Sequence, residues 1–261
     1  LDNLDSLPFL DFSSIDISCY KPILPLLASR GCIRKCVFCS EWNLYKKFRQ
    51  HSVRYAIAQI TYLLQRYNIT YFSFHDSLIN GNLEWLEKFC QEIINKNISI
   101  QWEAQIAIRS EMDTALFTLM KKAGCINLFI GLESASDKIL AQMNKGFTIN
   151  DAQRIFSELT KAGLMFEVSI IVGYPGESQQ DFKHTLDFLK THKRIIPKIA
   201  QVSGFTLYPQ SVLYGQRLSL TEEPVITKRL KKIEKFLEKN KIKHKKAFID
   251  NLRYDHANKY N

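Results

Sequence analysis

Between Ile23 and Leu207 the apolar positions of the chain switch repeatedly between two rhythms. Six short runs rich in β-branched and aromatic residues lie at 23–29, 70–76, 99–107, 125–133, 165–173 and 200–208, and each reads as a strand. Five intervening segments, near 51–66, 83–96, 113–123, 150–162 and 178–192, space their apolar residues at helical intervals instead. Thr148 stands three residues before Asp151 and Ser178 three before Asp181, the reciprocal pattern that caps helix N-termini. Strand starts recur about every 35 residues, the length of a strand–helix unit. A helix between two strands carries the chain back to the end where the first strand began, so the strands pair in parallel. The pattern predicts an α/β fold, wound into a barrel or an open sheet.

The alternation also assigns faces. Gln101, Glu103 and Gln105 fall opposite Trp102, Ala104 and Ile106, while Asn127, Phe129, Gly131 and Glu133 oppose Leu128, Ile130 and Leu132. Glu167, Ser169 and Gly173 oppose Val168, Ile170 and Val172 in the same way. With a period of two, the aliphatic sets meet the helices and the polar sets line the interior. An interior this polar suits a bound polar ligand better than a packed core. Residues 1–22 read as an extended, proline-punctuated lead-in, 23–210 as the core, and 211–261 as a basic helical extension. Within the extension Ile226, Leu230, Ile233 and Leu237 recur at helical spacing among lysines, so this helix docks on the core by its apolar stripe.

Of the 261 residues, 46% are hydrophobic and 24% charged, the balance of a folded domain with a sizeable core. No apolar run nears the ~20 residues of a membrane span. The acidic start, with Asp2, Asp5, Asp11 and Asp16, is not a signal peptide; the expected compartment is the cytoplasm. The net charge of +10 is uneven: residues 1–20 carry −4, and 221–261 carry +6 from 12 Lys and Arg against 6 Asp and Glu. Such a basic end reads as a solvated helix face or as a surface for nucleic-acid phosphates. The first residue is Leu1, and the chain is expected to be part of a longer protein.

Three of the six cysteines, Cys32, Cys36 and Cys39, form a C-x3-C-x2-C loop directly after the first strand. In a chain without a disulfide scaffold such crowding points to metal. Three thiolates on one loop can hold three irons of a cubane cluster, which leaves the fourth iron open to a substrate or cosubstrate. Zinc is the alternative. Structural zinc takes four protein ligands, and with no second cysteine pair His51 or His75 would have to complete the set. Cys90, in a helical run, and Cys125, at a strand start, read as small buried hydrophobes. Cys19 lies in the lead-in, and there is no second triplet for a further cluster.

These features together resemble the radical S-adenosylmethionine (SAM) superfamily. The resemblance rests on the cysteine triplet with an aromatic, Phe38, before its last member, followed by GLES (131–134), MNKG (143–146) and VGYPGES (172–178), in order and at strand ends, over about residues 20–210. It implies a partial (β/α)6 TIM-type barrel with a [4Fe-4S] cluster on Cys32, Cys36 and Cys39. SAM would chelate the open iron, and its reductive cleavage would yield methionine and a 5′-deoxyadenosyl radical. It further implies Glu133 and Ser169 against the ribose or methionine part of SAM, and Lys145 near its carboxylate. Phe38 and Gly173 would lie beside adenine, with Gln105 and Leu207 among the remaining contacts. His75, Asp76 and Ser77 depart from the glycine-rich turn of many relatives; Asp76 either replaces that contact through its carboxylate or caps the next helix.

The resemblance is to the branch in which many members carry a cobalamin-binding domain ahead of the barrel. It implies methylation or rearrangement of a substrate that this sequence does not identify, with cobalamin held upstream and a reductant such as flavodoxin or ferredoxin as partner. An RNA-modifying radical enzyme that grips phosphates with the basic tail is a second reading. A non-catalytic zinc-binding interaction module is a third.

Overall fold

Each of the six strands expected from the sequence forms in the computed structural model, which describes residues 2–17 and 23–244. They are β1 (Ile23–Leu26), β4 (Tyr71–Phe74), β5 (Gln101–Ile106), β6 (Cys125–Glu133), β7 (Phe166–Val172) and β8 (Lys198–Gly204). All neighbours pair in parallel, and a short seventh strand, β9 (Lys243–His244), extends the sheet to the order β1-β4-β5-β6-β7-β8-β9. A two-stranded ribbon, β2 (Ser29–Arg30) with β3 (Arg49–Gln50), brackets the cysteine loop. Among the described residues the sheet ends on β1 and β9, a partial barrel. Cys19 and the basic residues beyond His244 lie outside the described residues.

The helices begin where capping side chains put them. α2 (Val53–Tyr67), α3 (Leu83–Asn95) and α4 (Thr114–Lys122) start on Ser52, Asn82 and Asp113, each accepting from a first-turn N–H. α6 (Ile149–Ala162) and α7 (Gln179–Thr191) start on full capping boxes, Thr148 with Asp151 and Ser178 with Asp181. Two short helices, α1 (Glu41–Tyr45) and α5 (Asp137–Gln142), carry too few turns to leave a periodic signature.

The alternation sorts the strand faces as the sequence predicts. Trp102, Ala104 and Ile106, then Leu128, Ile130 and Leu132, then Val168, Ile170 and Val172 are buried in one cluster with the helices. On the opposite face Gln101 and Gln105 stay exposed, while Glu133, Glu167 and Ser169 are buried. The extension shares the same core. α8 (Glu223–Lys239) buries Leu230, Ile233 and Leu237 in that cluster, each such side chain contributing about 1.5–3 kcal/mol.

The described lead-in runs along α2. Asp5 accepts from the Ser52 N–H at 2.9 Å, and the Tyr55 hydroxyl donates to the carbonyls of Leu7 and Pro8 at 2.9 Å. Phe9 packs between Tyr55 and Tyr62, and the Phe12 N–H donates to the Tyr67 hydroxyl at 2.7 Å. Asp5 therefore sits at the N-terminal end of α2, the end of the sheet where the cysteine loop lies.

Candidate functional site

The cysteine loop is held from three sides. Below it, Asp76 at the end of β4 is buried and accepts from the Ala28 N–H at 3.0 Å and from the Ser29 hydroxyl. Asp76 thus anchors the entry to the loop, and the next long helix is capped by Asn82 instead. Beside it, the MNKG segment clamps the loop backbone: Val37 N–H donates to Met143 O at 3.1 Å, and Asn144 Nδ2 to Lys35 O at 2.8 Å. Arg34 closes the clamp from within the loop, donating to the carbonyls of Gly146 at 3.1 Å and Ile108 at 2.7 Å. From the extension, Leu213 N–H reaches Val37 O at 3.3 Å.

Burial pushes the Cys32 thiol up to about 11 and raises Cys36 and Cys39 as well. Neutral thiols at these positions become ligands once a metal displaces their protons. Among the described residues no three Cys, His, Asp or Glu side chains converge on one point as ligands of a single ion do. The three thiols that share this loop are the donor set of a cubane, which takes one cysteine sulfur per iron. His51 is committed elsewhere: its Nδ1 faces Asp5 at 3.2 Å and its ring stacks on Tyr55.

Glu133, Ser169 and Lys145 meet beside this loop. Lys145 Nζ donates to Glu133 Oε1 at 3.2 Å, and Ser169 Oγ to Glu133 Oε2 at 2.9 Å. A register shift between Gly131 and Glu133 gives Glu133 a left-handed backbone, φ 65°, the kind of local strain that re-aims a side chain at a site. Gly131 is what leaves room: a Cβ there would strike the Glu133 carboxylate and lie 3.1 Å from Lys145 Nζ. Both charged side chains are only 11% exposed. Burial works against the Lys145 ammonium, but the Glu133 carboxylate, with the Cys36 and Cys39 sulfurs in their ionised form, outweighs it and holds its pKa above the usual lysine value. Its charge also lies 5.8 Å from the Phe38 ring centroid and 5.7 Å from that of Phe147.

The remaining predicted residues divide. Phe38 and Leu207 pack on one apolar cluster with Met143 and Tyr174, against the cysteine loop. Gln105 is exposed on the inner face, in register with Phe129. Gly173, at φ 79°, faces α8: a Cβ there would lie 2.5 Å from Ile226 Cγ1. Sequence reasoning missed Arg34, Asn144 and Arg229. The first two act on backbone carbonyls, which leave no spacing pattern; Arg229 had a signal, a charged residue on the apolar stripe of α8.

The Asp76 carboxyl is pushed up to about 6 by burial, against the pull of its two donors. The native state therefore keeps a proton that the unfolded chain, titrating near 3.8, has already released. Stability from this group is full below about pH 4 and is lost as pH rises through about 6, a change on the order of 3 kcal/mol. Urea midpoints of the native protein relative to Asp76→Asn are expected to fall between pH 4 and 7. A difference flat with pH would contradict the burial argument.

The sequence model of the Radical SAM superfamily matches residues 26–189. The chain is 28% identical over 219 residues to an uncharacterized methyltransferase of Pyrococcus horikoshii, covering 82% of this chain and 47% of that protein. It is 25% identical over 190 residues to the bacteriochlorophyllide d C-12(1)-methyltransferase of Chlorobaculum tepidum, covering 71% and 41%. The chain thus spans less than half the length of these curated relatives. Among solved structures it is similar to the radical S-adenosylmethionine methyltransferase TsrM of Kitasatospora setae, with cobalamin and a [4Fe-4S] cluster bound. That similarity has a TM-score of 0.63 at 16% identity and covers 73% of this chain and 36% of that one, a likeness of fold.

Proposed function

Because this chain belongs to the radical SAM superfamily, we propose that Cys32, Cys36 and Cys39 hold a [4Fe-4S] cluster and that SAM binds against Glu133, Ser169 and Lys145. The observation that carries the reading is the meeting of those three polar residues beside the cysteine loop, over a glycine that leaves them room. Cluster and SAM, once bound there, would supply one-electron reductive cleavage of the C5′–S bond of SAM, with the electron drawn from an external low-potential donor such as flavodoxin or ferredoxin.

The chain's own residues do the holding. Lys145 presents a cation to the carboxylate of SAM, and Glu133 keeps that cation in place and charged. Ser169 orients Glu133 by donating to its second oxygen. Phe38 and Leu207 offer an apolar wall for adenine, with Gln105 further down the inner face. Arg34, Asn144 and Asp76 fix the loop backbone, so the thiolates keep their spacing without paying ordering entropy on binding.

The reaction proposed for the whole protein is methylation or rearrangement of a small molecule or cofactor, with cobalamin held in a domain upstream. Two methyltransferase relatives and a cobalamin-bearing structural neighbour, each much longer than this chain, support it. Anaerobic reconstitution with iron and sulfide, then SAM and dithionite, tests the core reading. The expected result is a brown protein with about four irons per chain that cleaves SAM slowly and binds no hydroxocobalamin. A colourless, zinc-loaded protein would overturn it.

A further inference from the structure

The C-terminal helix reaches the site through one buried ion pair. Arg229 of α8 donates from Nη1 to Glu177 Oε2 at 2.6 Å and to the Glu177 carbonyl at 3.3 Å. The same Oε2 accepts the Gly173 N–H at 2.7 Å. The two side chains are 8% and 1% exposed. One turn earlier on the helix, Ile226 fills the space that a side chain at 173 would need. The guanidinium also lies 5.3 Å from the centre of the Phe182 ring.

Glu177 closes the turn Gly173–Glu177, and that turn carries Tyr174. The Tyr174 hydroxyl donates to the Gln142 carbonyl at 3.1 Å, and its ring packs with Met143 and Leu213, with Val37 and Phe38 of the cysteine loop against them. A continuous path of contacts thus runs from Arg229 through Glu177 and Gly173 to Tyr174 and Phe38.

We propose that Arg229 is a positioning residue for SAM: by pairing with Glu177 it locks the Gly173–Glu177 turn, and so sets Tyr174 and Phe38 at the wall that receives adenine. The inference rests on the reading of the site given above. Without Arg229 the Glu177 carboxylate is buried and uncompensated. It must then protonate or draw water inward, and the turn it holds by the Gly173 N–H loses its fixed place. A lysine keeps the charge but not the planar fork, so it restores the turn only in part.

SAM affinity of the reconstituted protein separates this role from simple packing. Arg229→Met is expected to raise the SAM Kd at least tenfold at unchanged iron content, and to speed amide hydrogen exchange at 173–177. Arg229→Lys should fall between it and wild type. Leu230→Ala, next along the helix and buried in the main apolar core, should lower Tm by a comparable amount yet leave the Kd within twofold. An unchanged Kd in Arg229→Met, or an equal rise in Leu230→Ala, would overturn the proposal. Should Arg229→Met not fold, a Kd raised in Arg229→Lys above that of Leu230→Ala supports it, and equality overturns it. A wild-type protein that binds iron but no SAM would instead sink the reading of the site, while the exchange rates at 173–177 would still report whether Arg229 holds the turn.

Discussion

Cys32→Ala, Cys36→Ala and Cys39→Ala are each expected to reduce the iron content of the reconstituted protein from about four per chain to near zero, and with it all SAM cleavage. Two thiolates cannot hold the cubane with one iron open. His51 is tied to Asp5 and Tyr55. Cys90→Ala and Cys125→Ala should keep full iron, since both thiols are buried in the apolar core, and lose only packing, on the order of 1 kcal/mol. Iron and acid-labile sulfide assays with the ultraviolet–visible spectrum of all five variants decide the matter. The same iron loss in every one would dissolve the assignment of the loop.

Glu133→Ala is expected to weaken SAM binding about a hundredfold, roughly 2.7 kcal/mol, with iron content intact. The carboxylate accepts from both Ser169 and Lys145, and both charged partners are nearly buried. Removing one member of such a pair leaves the other desolvated and unpaired, at a cost of about 2–5 kcal/mol. Lys145 would then swing toward the cysteine sulfurs or lose its proton, and its place for the SAM carboxylate would go with it. If Glu133 instead serves only as an acid ahead of α5, complementary to that helix dipole, the variant would melt earlier at unchanged SAM affinity. Equilibrium dialysis beside a thermal melt tells the two apart.

The six parallel strands could be read in the sequence because their signal is local. A two-residue alternation interrupted by helical spacing is imposed by the geometry of each element, whatever it packs against. The capping boxes at Thr148 and Ser178 are equally local, since cap and partner stand three residues apart. So is the cysteine triplet. α1 and α5 escaped because one or two turns show no period, and β9 because two residues show no alternation.

The candidate site divides along the same line. The identities of Glu133, Ser169 and Lys145 were legible, as was the inward direction of the first two, which lie on parallel strands with faces set by parity. Their convergence was not: it depends on a register shift between Gly131 and Glu133 that no residue pattern announces.

Gly173 shows the boundary from the other side. Its glycine suggested a close backbone approach, and the sequence suits that to a ligand; the structure puts Ile226 from 53 positions further along the chain against it. The extension shows it too. Its apolar stripe alone established that α8 docks, but the stripe could not say where, nor that Arg229 within it would meet Glu177. Sequence by itself determined the six main strands and the long helices, their order, their buried faces and the cysteine loop, because each follows from neighbours a few residues apart. Which distant groups share one carboxylate was decided only by the tertiary structure, because hydrogen bonds and ion pairs depend on separations of a few ångströms that folding alone sets.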